Sequence, residues 1–441
     1  MNNKNLIVNI IGAGLAGCEA AYFLAEKGVS VKLFEMKPEF KSAAHRSENF
    51  CELVCSNSLK SEEQDTASGL LKKELEKLNC FVLNVAKETR VNAGESLSVD
   101  REKFSSNVTK IIKAHPNIEV ISQKVTAIDV SKPTIIATGP LTDNELLTSL
   151  KKLIGENNSY FYDAMAPIVS KESVDMRFAF EGDRYDKSET AGDYVNAFLT
   201  KAEYEEFWNE LTMAKTFPLK EFEDVKVFEG CMPIEIMAKK GIDTLRFGPL
   251  KPIGLKDKET KIQNYAIVQL RKENKEGTML NMVGFQTNLL FAEQKRVFSL
   301  IPALKNAEFF KFGAMHRNTY INAPKVLNKF MQLKDYPNIF IAGQLSSVEG
   351  YVESFASGLI AAINMHRYLL KKEMIEVPRE TMLGAIISYI ANNDVGNYQP
   401  MNANFGVMPP LSGDFCDKKL KRQKIYERSM IKIDEYIGRI I

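Results

Sequence analysis

The chain has 441 residues, 45% of them hydrophobic, with 58 basic and 56 acidic side chains and a formal charge of +2. That length suggests about two or three domains built around a sizeable core, and the composition excludes a chain disordered throughout. A balance this even provides no global field for nucleic acid, so any RNA-binding surface has to be a local patch.

The first element is the apolar run Leu6–Ile11, which ends in Gly12-Ala13-Gly14-Leu15-Ala16-Gly17 and an alanine-rich amphipathic stretch. This order reads as a strand, a tight turn and a helix that bind a dinucleotide. Gly12 permits the turn, Gly14 lets the backbone approach a pyrophosphate, and Gly17 lets the helix pack closely on its strand. The helix N-terminus then faces the phosphates. A second apolar segment, Val29–Phe34, delivers Glu35 at the distance where a carboxylate accepts the hydroxyls of an adenosine ribose. The six-residue run before the glycines is too short for a signal-peptide core or a membrane span. A soluble, cytoplasmic protein without a membrane partner is expected.

Cys55 stands in Cys51-Glu-Leu-Val-Cys-Ser-Asn-Ser58, where Ser56, Asn57 or Ser58 would cap a short turn ahead of a helix expected from about Ser61 to Leu78. Further on, Pro133–Ala137 reads as a short buried strand running into Thr138-Gly139-Pro140. Between about Tyr160 and about Pro302 the character changes to short strands, such as Tyr265–Leu270 and Thr278–Val283, and a helix over Lys201–Ala214 around Trp208. This stretch reads as an insertion domain. Within it lies Cys231, in Phe228-Glu-Gly-Cys-Met-Pro233, where Pro233 suits the first residue of a helix. A thiol near a helix start is favoured as thiolate, which singles out Cys55 and Cys231. Cys18, Cys80 and Cys416 read as small buried hydrophobes. Cys51 stays open, since it could face Cys55 on one turn. Late in the chain, Asn338–Ala342 runs into Gly343-Gln344, then Gly350-Tyr351 and a small-residue helix from about Ser354 to Asn364. A nicotinamide domain does not need this late unit, whereas FAD-binding folds close over the flavin with such a second contact. FAD is therefore the expected resident cofactor. The basic run Lys418–Lys424 reads as a solvated helix face. The six cysteines lack C-x-x-C spacing and the four histidines are unpaired at ligand spacing, so neither a disulfide framework nor a metal site is expected.

The strings Glu52–Leu59 (ELVCSNSL) and Phe228–Glu235 (FEGCMPIE) resemble the two cysteine motifs of the folate- and FAD-dependent tRNA (uracil-5-)-methyltransferase family. The resemblance continues through Leu245–Pro252, Asn281–Thr287, Gly350–Ser354 and Gln399–Gly406, so it covers essentially the whole chain. It implies an α/β protein with a Rossmann-like FAD-binding domain, residues 1–160 and 306–441, interrupted by an inserted α+β domain, residues 161–305. It also implies Cys231 as the thiolate that adds to carbon 6 of uracil, and Cys55 as a second thiol near the flavin. Tyr351 is implied beside the isoalloxazine. Methylenetetrahydrofolate would supply the one-carbon unit, and NADH or NADPH would re-reduce the flavin. Reaching a base inside a folded RNA loop requires extruding it, and the inserted domain is the expected clamp.

Three segments depart from the family's usual strings. Gly343-Gln-Leu-Ser-Ser347 replaces Gly-Gln-Ile-Thr-Gly, Leu290 stands where a lysine is usual, and Ser299 where an arginine is usual. Two fewer positive charges weaken phosphate contact. The expected target is a T-loop uridine of tRNA, with a uridine of 23S ribosomal RNA as the alternative. Two readings of other kinds remain: a small-molecule or dithiol flavin oxidoreductase working through Cys51 and Cys55, and a flavin-bearing RNA-binding protein without turnover. The oligomeric state is left open.

Overall fold

The computed structural model describes residues 6–42, 45–54, 57–91, 96–155, 158–182, 194–217, 232–255, 264–272, 277–392, 399–413, 415 and 417–440. Two compact units divide the chain: Met1–Phe161 together with Asn318–Ile441, and Tyr162–Arg317.

In the first unit, β1 (Ile7–Ile11), β2 (Ser30–Glu35), β3 (Ile118–Ser122), β4 (Thr134–Ile136) and β5 (Ile339–Ile341) form one sheet in the order β5-β4-β1-β2-β3. Every neighbouring pair is parallel. Parallel neighbours require crossover connections, and these lay helices on the sheet faces, so the strands become nearly continuous apolar runs. Val8, Ile10, Leu33, Ile135, Ile136 and Phe340 are accordingly fully buried. The connection from β1 to β2 is α1 (Leu15–Glu26). It packs against the long helix Tyr351–Leu369 at Gly358, where a Cβ would lie 2.3 Å from the Ala16 carbonyl oxygen. A Cβ on Gly17 would lie 1.8 Å from the Gly12 carbonyl oxygen, so close approach of α1 to its own turn and to the long helix depends on the missing side chains.

The α/β reading of this unit agrees with the parallel sheet, while element ends differ. The helix expected from Ser61 begins only at Ala67, where the Thr66 side chain accepts from the Gly69 N–H at 3.0 Å. Ser58–Ser61 is a strand instead, paired antiparallel with Ser96–Val99. The alternating polar serines lie in a ladder that local helix periodicity does not report. The basic run lies on the helix Lys418–Ile440, whose Ile425, Ser429, Ile433 and Tyr436 are buried at helical spacing. Among the described residues no helix is long and apolar enough to cross a membrane.

The second unit is α+β. Its six-stranded sheet runs in the order Ala179–Glu181, Tyr194–Leu199, Ala266–Lys272, Met279–Met282, Ile168–Ser170, Phe309–Lys311, with antiparallel neighbours throughout. The helix Lys201–Met213 starts in a reciprocal cap between Thr200 and Glu203 and buries Tyr204, Phe207 and Leu211. These join Phe285, Phe298 and Leu280 in one apolar core.

Two fully buried carboxylates of the first unit cap helices that begin elsewhere in the chain. Glu19 on α1 accepts the N–H groups of Phe81 and Val82 at 3.1 and 2.8 Å. Glu74 accepts those of Met382 and Leu383 at 2.6 and 2.8 Å, and the Ser429 hydroxyl. Burial outweighs these donors and raises both carboxyl groups from 4.5 to about 7. A carboxyl whose folded value is raised releases its proton first in the unfolded chain, so its stabilisation is complete below about 4.5 and is lost as pH rises to about 7. Urea titrations between these pH values should show wild type losing up to about 3 kcal/mol through Glu74. Glu74→Gln is expected to be less stable at low pH and to have a flatter profile; an unaltered slope would show that Glu74 ionises normally.

Candidate dinucleotide and active site

A cleft at the carboxyl ends of β1, β2 and β4 is lined by Gly12, Ala13, Gly14, Leu15, Ala16, Glu35, Gly139, Gly343 and Tyr351. These are nine of the ten cofactor residues singled out in the sequence; the tenth, Gly17, lies beneath them in the α1 packing. Ligands of open α/β sheets sit at this end of the strands.

Each glycine has a different reason. Gly12 adopts φ +101°, and a Cβ there would come within 2.7 Å of the Ala137 carbonyl oxygen. Gly14 has φ −79° and caps α1, with no side chain satisfying the first turn and no acidic residue in it. Nothing of the protein lies within 4 Å of where its Cβ would stand. The chain itself therefore does not require glycine at 14. An anion facing the free N–H groups of α1 would, and this is the cradle a pyrophosphate needs. Gly139 adopts φ +70° with open space beside it, while Gly343 at φ +72° gives its N–H to the Ser357 hydroxyl at 2.8 Å.

Glu35 is 7% exposed at the end of β2. Its Oε2 accepts the Ala13 N–H at 2.9 Å and its Oε1 accepts the Lys37 N–H at 3.1 Å. Each oxygen keeps a lone pair for a ribose hydroxyl. The fingerprint identified Glu35 as a ligand residue and gave no sign that it also holds the glycine turn. Tyr351 begins the helix that follows Gly350, whose φ is +121°.

Sequence reasoning missed several other lining residues, among them Lys37, His45, Gln123, Lys124 and Ser354. Only the fold brings them to the cleft. Lys124 is paired with Asp143 and Glu145 at 2.9 and 2.8 Å. His45 meets the Ser42 hydroxyl at 2.6 Å, and burial with the nearby Lys37 charge lowers its pKa. Cys51, left open by the sequence, is a wall residue: it is 1% exposed, and its N–H donates to the Ala13 carbonyl at 3.1 Å. The Cys18 thiol donates to the same carbonyl at 3.3 Å and meets the Cys51 side chain. Burial raises the Cys18 and Cys80 thiols well above their ordinary value, which suits packed, inert sulfur.

Cys55 and Cys231 lie outside the described residues, but their flanks are placed. Asn57 and Ser58 enter the antiparallel ladder, with Asn57 Nδ2 donating to the Val99 carbonyl at 3.2 Å. The helix expected from about Ser61, which would have put Cys55 near a helix start, is therefore corrected: Ser58–Ser61 pair as a strand and the helix begins at Ala67. Beyond Cys231, Pro233 caps the helix Ile234–Lys239 instead of opening it as its first residue. Glu235 fixes that helix by accepting the Thr287 hydroxyl at 2.7 Å and the Asn288 N–H at 2.8 Å.

Residues 7–373 match the family model described as glucose inhibited division protein A. A curated relative from Natranaerobius thermophilus, named methylenetetrahydrofolate--tRNA-(uracil-5-)-methyltransferase TrmFO, is 52% identical over 432 residues, covering 98% of this chain and 99% of its own. The chain belongs to this family of methyltransferases. A relative of the same name from Thermotoga maritima is 48% identical over 433 residues, with 98% and 99% covered. Among solved structures, GidA of Aquifex aeolicus in its form II crystal matches with a TM-score of 0.51 at 14% identity, over 98% of this chain and 73% of that one. At that identity the likeness concerns the fold.

The contrast between Gly14 and Gly17 is testable. Gly14→Val should cost no more than about 1 kcal/mol in thermal unfolding, yet purify without flavin absorbance. Gly17→Val should fail to fold stably. Retention of full flavin absorbance by Gly14→Val would place the pyrophosphate elsewhere.

Proposed function

We propose that this protein is an RNA uracil-5-methyltransferase that takes its one-carbon unit from methylenetetrahydrofolate, employs FAD with NADH or NADPH, and acts on a T-loop uridine of tRNA. The observation that carries this reading is the 52% identity to a curated relative of that printed activity over 432 residues, a span that includes both units. The relatives' names favour tRNA over ribosomal RNA as the substrate.

The residues of the cleft fit FAD. The turn from Gly12 to Gly17 would receive the pyrophosphate, Glu35 would accept the ribose hydroxyls, Gly139 leaves open space beside the backbone, and Tyr351 would lie against the ring system. When bound, FAD supplies the redox chemistry through which the folate carbon reaches the methyl level.

Carbon 5 of uracil is too weak a nucleophile to take up that carbon unaided. Cys231 solves this by covalent catalysis. Its thiolate bonds to carbon 6, and the electron pair of the 5,6 double bond moves toward the carbon 4 carbonyl, making carbon 5 nucleophilic. Carbon 5 then bonds to the one-carbon unit. Loss of the carbon 5 proton, assisted by Cys55, would expel the carrier nitrogen from that unit, and a hydride from the reduced cofactor would bring it to methyl as the Cys231 thiolate leaves carbon 6 and the double bond returns.

Purified protein, tRNA transcript, labelled methylenetetrahydrofolate and NADPH should give labelled 5-methyluridine, whereas labelled S-adenosylmethionine should give none. Cys231→Ala should keep flavin and lose at least about a hundredfold in rate. RNA carrying 5-fluorouridine at the target should become covalently trapped, because fluorine cannot leave as a proton does. Mass spectrometry locating the adduct on a Cys55 peptide would exchange the two thiols' roles, and label from S-adenosylmethionine alone would end the reading.

A further inference from the structure

The second unit carries a surface feature that its own packing does not explain. Phe247 is 78% exposed, the most exposed of the large hydrophobic side chains among the described residues, and Ile236, Ile242 and Ile253 nearby in sequence are 40%, 38% and 48% exposed. Loose anchoring is not the cause, because the backbone beneath them is tightly held. Ile234, Ala238, Leu245 and Leu250 are fully buried. Trp208 Nε1 donates to the Ala238 carbonyl at 2.9 Å, and the Tyr204 hydroxyl donates to that of Ile242. Arg246, next to Phe247, lies flat on the Tyr265 ring at 3.7 Å while its Nε donates to the Tyr265 carbonyl at 3.1 Å and its guanidinium to Asp243 at 2.7 Å. The helix Thr244–Phe247 is thus a rigid knob that presents an aromatic ring to solvent.

Its surroundings specify what the ring would meet. From Lys239 to Lys251 the chain carries four basic residues against the single acidic Asp243, and Lys239 and Lys240 are exposed. An aromatic face among cations suits an unpaired nucleobase with its phosphates: the ring stacks, and the ammonium groups meet the backbone. A dimer interface of similar apolar size would be depleted of lysine. Chain connectivity adds the position, since Pro233, two residues after Cys231, caps the helix that leads through Gly241 to this knob.

We propose that Phe247 is the stacking side chain for an unpaired base of the RNA loop next to the target uridine, and that Lys239 and Lys240 contact the adjoining phosphates. This rests on the RNA reading above. Stacking on Phe247 offsets part of the cost of unstacking the loop while the uridine is turned out.

The test uses the full flavin-containing chain and a T-loop hairpin RNA with 2-aminopurine beside the target uridine. Wild type should quench or shift the 2-aminopurine fluorescence on binding. Phe247→Ala should abolish that signal and raise Kd and KM for the hairpin at least about fivefold, with flavin content and melting temperature retained. Phe247→Trp should restore the signal and the affinity. Phe247→Ala with wild-type KM and wild-type fluorescence response, while wild type methylates the hairpin, would overturn this inference alone. Unaltered RNA affinity with a changed sedimentation coefficient would assign the patch to a second copy of the chain and also overturn it. Absence of RNA methylation by wild type would remove the proposed function, and this inference with it.

Discussion

The peptide of Ala13 is held from three directions, and the geometry of the dinucleotide cleft follows from that. Its N–H points to Glu35 Oε2, and its carbonyl receives both the Cys51 N–H and the Cys18 thiol. The first bond ties the turn to the end of β2, the second ties it to the segment that leads toward Cys55, and the third ties it to α1 itself. With Ala13 fixed, Gly12 is forced into a conformation with positive φ against Ala137, and α1 must start with its N–H groups uncapped at Gly14. The pyrophosphate cradle is thus preorganised by the protein, which lowers the ordering cost of binding.

Much of this was legible in the sequence because the signals were local. A short apolar strand, a glycine turn and an acidic residue after the next strand are all read within thirty residues or so of chain. The parallel sheet followed from the same repeating units. What stayed illegible depended on distant partners. Nothing near Cys51 announces that it packs on Cys18, and nothing near Glu74 announces that it caps a helix beginning at Met382. The strand at Ser58–Ser61 falls where the sequence suggests a turn and then a helix start, because its pairing partner, Ser96–Val99, is remote and its serines give no apolar alternation. Long-range pairing overrides local propensity in such cases. For the two thiols the sequence contributed more than the structure, which describes only their flanks.

The string Gly350–Ser354 shows how a motif recognised by resemblance acquires a physical reason. Glu353 has its side chain 1% exposed, and its Oε1 accepts the Ala403 N–H at 2.9 Å and the Lys60 ammonium at 3.3 Å. The other oxygen lies 2.2 Å from where a Cβ on residue 350 would stand. Glycine at 350 is favoured by its own φ of +121°, and a Cβ there would also force the Glu353 carboxylate to shift. The same carboxylate binds the 399–406 segment to the start of the helix that carries Tyr351, so two strings far apart in sequence form one structural unit.

Ser347 carries this logic to a position where the chain departs from the family's usual glycine. It keeps a left-handed conformation, φ +74°, that a serine adopts only at a cost of about 1 kcal/mol or more. Its hydroxyl donates to the Ile321 carbonyl at 2.6 Å, and its own carbonyl accepts the Met401 N–H at 3.1 Å. Both partners belong to the frame around the cleft, Ile321 at the end of a strand and Met401 in the segment tied down by Glu353. The backbone shape is thus dictated from outside the loop, and the new hydroxyl offsets part of the strain it introduces. A substitution that changes the residue type here leaves the loop's path intact, because that path is set by the neighbours of residue 347 and not by residue 347 itself.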